Sequence, residues 1–230
     1  MTHSIRTTLA AVFAVTFLMT SAEAAVIYTG GLSSAAGITG QGQWSENLTF
    51  AWTVDDTTNP GFWTYQYTFS DLDPQVNQRR VVDRVLIEVS AAFSLAADFL
   101  GFSGGANVSL DTWDEDSFDP DSEFIPSAFR ALMFDTLSTT ATSYSFSFHS
   151  PRAPVWGDVY MTDNGTRARN AGFGDPDADP ANPPSSGSVD FHALVPDTGT
   201  RTQQLPEPGS LLLFGTASLL GGRSWRRRRR

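Results

Sequence analysis

From Asn47 to Val54 the chain reads NLTFAWTV, with large apolar residues at every second position: Leu48, Phe50, Trp52 and Val54 alternate with Asn47, Thr49, Ala51 and Thr53. A strand turns successive side chains to opposite faces, whereas a helix face recurs every three or four residues, so this run can bury one coherent face only as a β-strand. The same period returns in FWTYQYTFS, where Trp63, Tyr65, Tyr67 and Phe69 oppose Thr64, Gln66 and Thr68. It returns again in YSFSFH, with Tyr144, Phe146 and Phe148 against Ser145, Ser147 and His149. Arg84 to Val89 places Val85, Ile87 and Val89 inward and Arg84 and Glu88 outward, and VWGDVY from Val155 and SVDFHALV from Ser188 continue the pattern.

Turn signals separate these runs: TNPG at Thr58, SGG at Ser103, DNG at Asp163 and NPPSSG at Asn182. Many half-buried strands joined by irregular loops predict an all-β body, an antiparallel two-sheet β-sandwich of jelly-roll-like type. A short helix is expected only within Ala91 to Leu100. AFRALMFD from Ala128 suits helix or strand by its own pattern, and its surroundings favour strand.

A chain of 230 residues, 40% hydrophobic, supports one such core and hardly two. It contains no cysteine, so neither disulfides nor thiol chemistry contributes, and no lysine, so every basic side chain besides histidine is arginine. Residues 26–205 hold 23 Asp and Glu against 8 Arg, a net charge of −15. Such a body repels nucleic acid and anionic lipid and attracts divalent cations or cationic polymers. Nucleic acid is therefore excluded as the expected partner.

The basic residues outside the body collect at the two ends. Residues 1–24 have the form of a signal peptide: Arg6 and His3, an apolar run from Leu9 to Thr20, and a small-x-small site at Ala22-Glu23-Ala24. The apolar run is about twelve residues long where a spanning helix needs ~20, which favours cleavage over anchoring. At the other end, 18 residues from Pro208 to Trp225 approach the length needed to cross the bilayer, softened by Gly215, Thr216, Ala217 and Ser218. Arg223 and Arg226, Arg227, Arg228, Arg229 and Arg230 would hold the flank in the cytoplasm as a membrane stop, with Trp225 at the interface. Proline on both sides of Glu207 removes backbone donors and keeps the chain extended, the form that proteases and transpeptidases bind. These features together fit a temporary anchor beside a processing site.

The order Pro206-Glu207-Pro208, a Leu-rich run and an arginine cluster resembles the PEP-CTERM sorting signal of exported proteins in Gram-negative bacteria that make exopolysaccharide. The resemblance covers about the last 26 residues. It implies an inner-membrane-anchored precursor, recognition of Pro206, Glu207 and Pro208 by a membrane-embedded exosortase, removal of the tail, and release of the body or its attachment at the cell surface. The expected organisation is a signal peptide at 1–24, a body at 25–198, a linker at 199–205 and a sorting signal at 206–230. DRVLIEVS, YSFSFHSPRAPVWGDVYMTDN, AGFGDPDADP and VPDT also resemble a recurring body type among PEP-CTERM proteins, which supports a shared β-rich fold and implies no activity.

Catalytic patterns are missing from the body. G-x-S-x-G, H-E-x-x-H, a phosphate loop and a dinucleotide fingerprint do not occur, and His149 and His192 fall on the polar phase of their predicted strands. A glycosidase needs only two carboxylates at a set separation, which an acidic chain neither announces nor rules out.

Two acidic stretches raise a calcium site. DTWDEDSFDPDSE, from Asp111 to Glu123, has seven carboxylates and no base, and DPDADP sets Asp175, Asp177 and Asp179 at alternate positions as in the opening of a calcium loop. Pro180 then stands where that loop needs Gly and Ser186 where it needs Glu, so the match ends after three ligands, and a solvated acidic loop is the alternative.

Among the tryptophans, Trp52 and Trp63 are in phase with core residues, while Trp44 and Trp113 lie among polar neighbours and are the candidates for stacking on carbohydrate. Two functional classes result. One is a non-catalytic envelope or matrix protein, with the exosortase and exopolysaccharide as partners and no cofactor except calcium. The other is a secreted β-sandwich protein that binds or cleaves polysaccharide.

Overall fold

A computed structural model describes residues 25–71, 82–117, 124–135, 143–163 and 166–197. All lie in one compact unit, Ala25–Gln203. The strands, in chain order, are β1 (Ile27–Ser33), β2 (Ile38–Gly40), β3 (Leu48–Asp55), β4 (Trp63–Asp71), β5 (Arg84–Glu88), β6 (Leu100–Ser103) and β7 (Asn107–Trp113). They continue with β8 (Phe129–Asp135), β9 (Ser143–Ser150), β10 (Pro154–Gly157), β11 (Val159–Asp163), β12 (Thr166–Asn170) and β13 (Ala193–Pro196). A 3-10 turn at Gly42–Ser45 and one helical turn, α1 (Leu95–Asp98), complete the set. The helix expected within 91–100 is thus a single turn, and the ambiguous stretch from Ala128 is strand β8.

One sheet has the order β1-β3-β4-β9-β6, another β2-β12-β11-β5-β8-β7, and β10 and β13 form a separate ribbon. Neighbouring strands are antiparallel throughout. The alternation read from the sequence sets the first sheet. Leu48, Phe50, Trp52 and Val54 are buried together, and the β3/β4 register puts Phe50 opposite Phe69 and Trp52 opposite Tyr67. Beside them β4 and β9 pair Tyr65 with Phe148 and Tyr67 with Phe146.

These rings meet the second sheet. Phe134 of β8 lies 4.1 Å, ring centre to ring centre, from Phe146 of β9, and one apolar cluster joins both to Val85, Ile87, Leu132 and Met161. Burying each such side chain is worth about 1.5–3 kcal/mol, and the aromatic pairs add a geometric preference. Tyr65 and Tyr67 keep hydrogen bonds within this core: Tyr65 donates to the Arg152 carbonyl at 2.7 Å and Tyr67 to the Leu194 carbonyl at 2.9 Å.

The second sheet departs from simple alternation. Leu86, Tyr160, Ala131 and Phe129 are buried on its other side in a smaller cluster with Ile125 and Phe173, the latter edge-on to Phe129 at 4.8 Å. Because that side is covered too, β5 is apolar on both phases, and Glu88, expected outward in water, is buried.

Among the described residues no helix is long and apolar enough to cross a membrane. The signal peptide expected at 1–24, the linker, Pro206, Glu207, Pro208, the membrane segment and Arg223 to Arg230 lie outside the described residues.

Candidate metal centre

The chain changes sheets at Asp158. Pro154–Gly157 belongs to the β10/β13 ribbon, Val159–Asp163 pairs with β5 and β12, and Asp158 is the residue between them. A reciprocal backbone clasp fixes it: the Glu88 N–H donates to the Asp158 carbonyl at 3.0 Å, and the Asp158 N–H donates to Glu88 Oε2 at 2.7 Å. Asn170, at the end of β12, locks the side chain. Its Nδ2 donates to Asp158 Oδ1 at 2.6 Å while its Oδ1 accepts the Val159 N–H at 2.9 Å.

Segment 171–192 leaves Asn170 and returns to β13 beside the same junction with no strand or helix of its own, only an isolated bridge between Val189 and His192. Loops of this length without regular structure are uncommon in compact domains and are often functional. It ends in a tight turn, in which Asp190 and Phe191 both take left-handed backbone angles, φ 47° and 61°. For a bulky side chain such as Phe191 this is strained. The turn delivers His192. Its N–H donates to the Val189 carbonyl at 2.9 Å, and Nδ1 lies 3.3 Å from the same carbonyl, which can only accept, so Nδ1 carries a proton. Gly172 makes room, since a Cβ there would overlap the Asp190 carbonyl and the imidazole.

With Nδ1 so committed, Nε2 points inward. It lies 3.5 Å from Asp158 Oδ1 and makes no hydrogen bond; the His192 side chain is 4% exposed and that of Asp158 0%. Two further carboxylates come from the segment. Potential ligand atoms of Asp158, Asp179 and His192 lie within 4.8 Å of one another, as do those of Glu88, Asp158 and Asp177, so two triads share Asp158. Asp158 and Asp177 face each other closely enough to share a proton, and Asp158 Oδ2 and Asp177 Oδ1 are buried with no other donor.

The electrostatics reflect this crowding. Burial first, then the charges of Asp179, Asp158 and Asp177, push the Glu88 carboxyl well above the usual range against the opposing Asp158 N–H. Burial pushes Asp158 up to about 9, with Asp177 and Asp179 adding to the effect and the Asn170 bond opposing it. His192 moves down because burial outweighs its backbone bonds and the charges of Asp177 and Asp190. The imidazole is therefore neutral at neutral pH, and the 3.5 Å contact is a lone pair facing a carboxyl group rather than an ion pair. Arg169 is coupled electrostatically to Asp158, and its guanidinium carbon lies 5.0 Å over the Phe124 ring; one guanidinium balances one carboxylate. The remainder must hold protons or a cation.

The acidic stretch DPDADP thus contributes Asp177 and Asp179, while Asp175 is exposed and belongs to neither triad. Sequence reading missed Glu88, Asp158, Asn170 and His192. The first two carried a signal, a carboxylate interrupting a nearly continuous apolar run in VLIEV and VWGDVY. His192 was expected on an exposed strand face and is buried instead, because the turn at 189–192 shifts the phase.

The other candidates lie elsewhere. Trp44, expected at the surface, is carried by the 3-10 turn and is fully buried in the main core. Trp113, half-buried at the end of β7, donates its indole N–H to the Ala131 carbonyl at 3.3 Å. His149 bonds Thr64 at 3.2 Å. Of the first acidic stretch, Asp114 accepts bonds from the Ser117 hydroxyl and the Asp116 N–H in a local turn, and residues 118–123 lie outside the described residues.

Comparison with family models matches residues 204–229 to the PEP-CTERM protein-sorting motif. No curated protein and no solved structure matches the chain.

Proposed function

We propose, on the premise that residues 204–229 are a PEP-CTERM sorting motif, that this is an exported cell-envelope or extracellular-matrix protein. It is handed to an exosortase through Pro206-Glu207-Pro208 and works without catalysis at the surface of a Gram-negative cell, in contact with exopolysaccharide or biofilm. The motif match is the observation that carries this reading. The signal-like residues 1–24 and the arginine flank support it, because together they give the precursor one orientation in the inner membrane. The body is read as a β-sandwich of jelly-roll-like type. Two antiparallel sheets sharing one aromatic core support that, and such a rigid, acidic body suits polymer contact more than nucleic-acid contact.

The second reading, a secreted polysaccharide-active enzyme, gains one specific observation, the close pair Glu88 and Asp158 with raised proton affinities. Both are buried, however, and a general acid must reach the glycosidic oxygen. Asp158, with no exposed surface, does not favour that role. A carbohydrate-binding role without cleavage stays within the first reading's topology and rests on Trp113.

Fractionation of a native host with and without its exosortase tests the proposal. The protein should move from the inner membrane to the surface or medium only when the exosortase is present, and Glu207→Ala should hold it in the membrane. Equal distribution in both strains would remove the sorting role.

A further inference from the structure

We propose that Asp158, Asp179 and His192, with Glu88 and Asp177 alongside, form a binding site for one borderline first-row divalent cation, of the zinc or manganese class, that ties segment 171–192 to the β10/β11 junction. This inference is independent of how the chain is sorted.

An acidic cluster by itself would not carry it. The added observation is the histidine: a buried imidazole whose Nδ1 is oriented by the Val189 carbonyl and whose Nε2 lone pair, without a hydrogen bond, is aimed into the carboxyl groups. A backbone carbonyl behind one ring nitrogen is the usual outer support of a metal-binding imidazole, because it fixes the tautomer and leaves the other nitrogen as donor. Asp158 and Asp179 supply oxygen donors within 4.8 Å of that imidazole and of each other, and Glu88 and Asp177 stand within the same distance of Asp158. Without a cation these buried carboxyls keep their place by holding protons, and a cation displaces those protons and turns the contacts into bonds.

The donor set decides the class. Calcium and magnesium take oxygen almost exclusively, whereas an imidazole beside carboxylates suits zinc and its first-row neighbours. The topology decides the effect. Glu88 and Asp158 sit on the sheet framework, and Asp177, Asp179 and His192 sit on a segment without strands, so a shared ion closes that segment onto the framework. Loop closure of this kind stabilises the folded state because the unfolded chain has no preformed site.

The test uses the exported protein, stripped with chelator and followed by thermal unfolding and by metal content after desalting. Zinc or manganese near a hundred times its dissociation constant should raise Tm by on the order of 5–10 °C. About one ion per chain should be retained, and calcium at the same concentration should do less. Asp179→Asn keeps the side chain's shape and removes one charged ligand, so it should abolish the metal-induced rise. His192→Gln should weaken zinc more than calcium. No rise with either transition cation, a rise that persists undiminished in Asp179→Asn, or a response to calcium alone would overturn the proposal.

Discussion

His192 Nε2 lies 3.5 Å from Asp158 Oδ1, so the end of segment 171–192 and the sheet-switching residue of the framework meet at one point. The contact joins residues far apart in sequence, held from behind by Val189 and Asn170 respectively. The segment is held by this polar junction and by apolar packing, to which Phe173 and Val189 contribute.

Gly172→Ala tests that junction from the backbone side. The added methyl would overlap the Asp190 carbonyl and the His192 ring, and since one obstacle is backbone, relief requires moving the turn. We expect a loss of about 1–3 kcal/mol in urea unfolding. Faster proteolysis within 171–192 should accompany it, whereas unchanged stability would mean that the turn moves freely.

Phe134→Ala tests the contact between the sheets. Phe134 is fully buried, its ring centre 4.1 Å from that of Phe146 at a tilt of 34°, so truncation leaves a cavity bounded by both sheets. The expected cost is about 3–5 kcal/mol, read as a fall in the denaturant midpoint. A loss under about 1 kcal/mol would show that the sheets do not depend on this contact.

The β3, β4 and β9 strands were legible because their period-two pattern is a direct consequence of one face meeting a core and the other meeting water. β5 was legible as a strand but not in its environment, and VWGDVY reads as one run although the chain changes sheets at Asp158 between β10 and β11. Leu86 and Tyr160 look outward by period, yet Phe129, Phe173 and Ile125 cover them, and a single strand's pattern holds no information about a distant cover. The same blindness hid Glu88. His192 was misplaced for a different reason: Asp190 and Phe191 form a left-handed turn without the glycine that marks such turns, so SVDFHALV reads as continuous strand although β13 begins at Ala193. Of the candidate site, DPDADP drew attention to Asp177 and Asp179, and their partners needed the tertiary fold.

The phenols of Tyr65 and Tyr67 predict alkaline sensitivity. Burial raises both well above the ordinary tyrosine value, with the charges of Tyr67 and Asp197 adding to the effect at Tyr65. Above about pH 10 the unfolded chain releases these protons while the folded chain keeps them, so the folded state binds more protons and stability falls as pH rises. Urea unfolding at pH 9, 10 and 11 should show that decline. The Tyr65→Phe/Tyr67→Phe double variant should make it shallower, leaving the part due to Tyr28 and Tyr144, which are also raised by burial, and an equal decline in the variant would assign it to other groups.

Trp113→Ala bears on the polymer contact. Trp113 is half-buried, with its indole N–H held by Ala131, so part of the ring remains available for stacking. Retention of the protein on the host's exopolysaccharide should drop several-fold in the variant while its Tm falls only modestly. No retention of the parent protein, or retention unaffected by the substitution, defeats contact through this residue.

The central claim is that the C-terminal segment is read and removed, and intact mass measurement of the mature protein from its native host tests it most directly. The account predicts a species lacking the residues that follow the Pro206-Glu207-Pro208 region. A mature protein that still ends at Arg230 would contradict it.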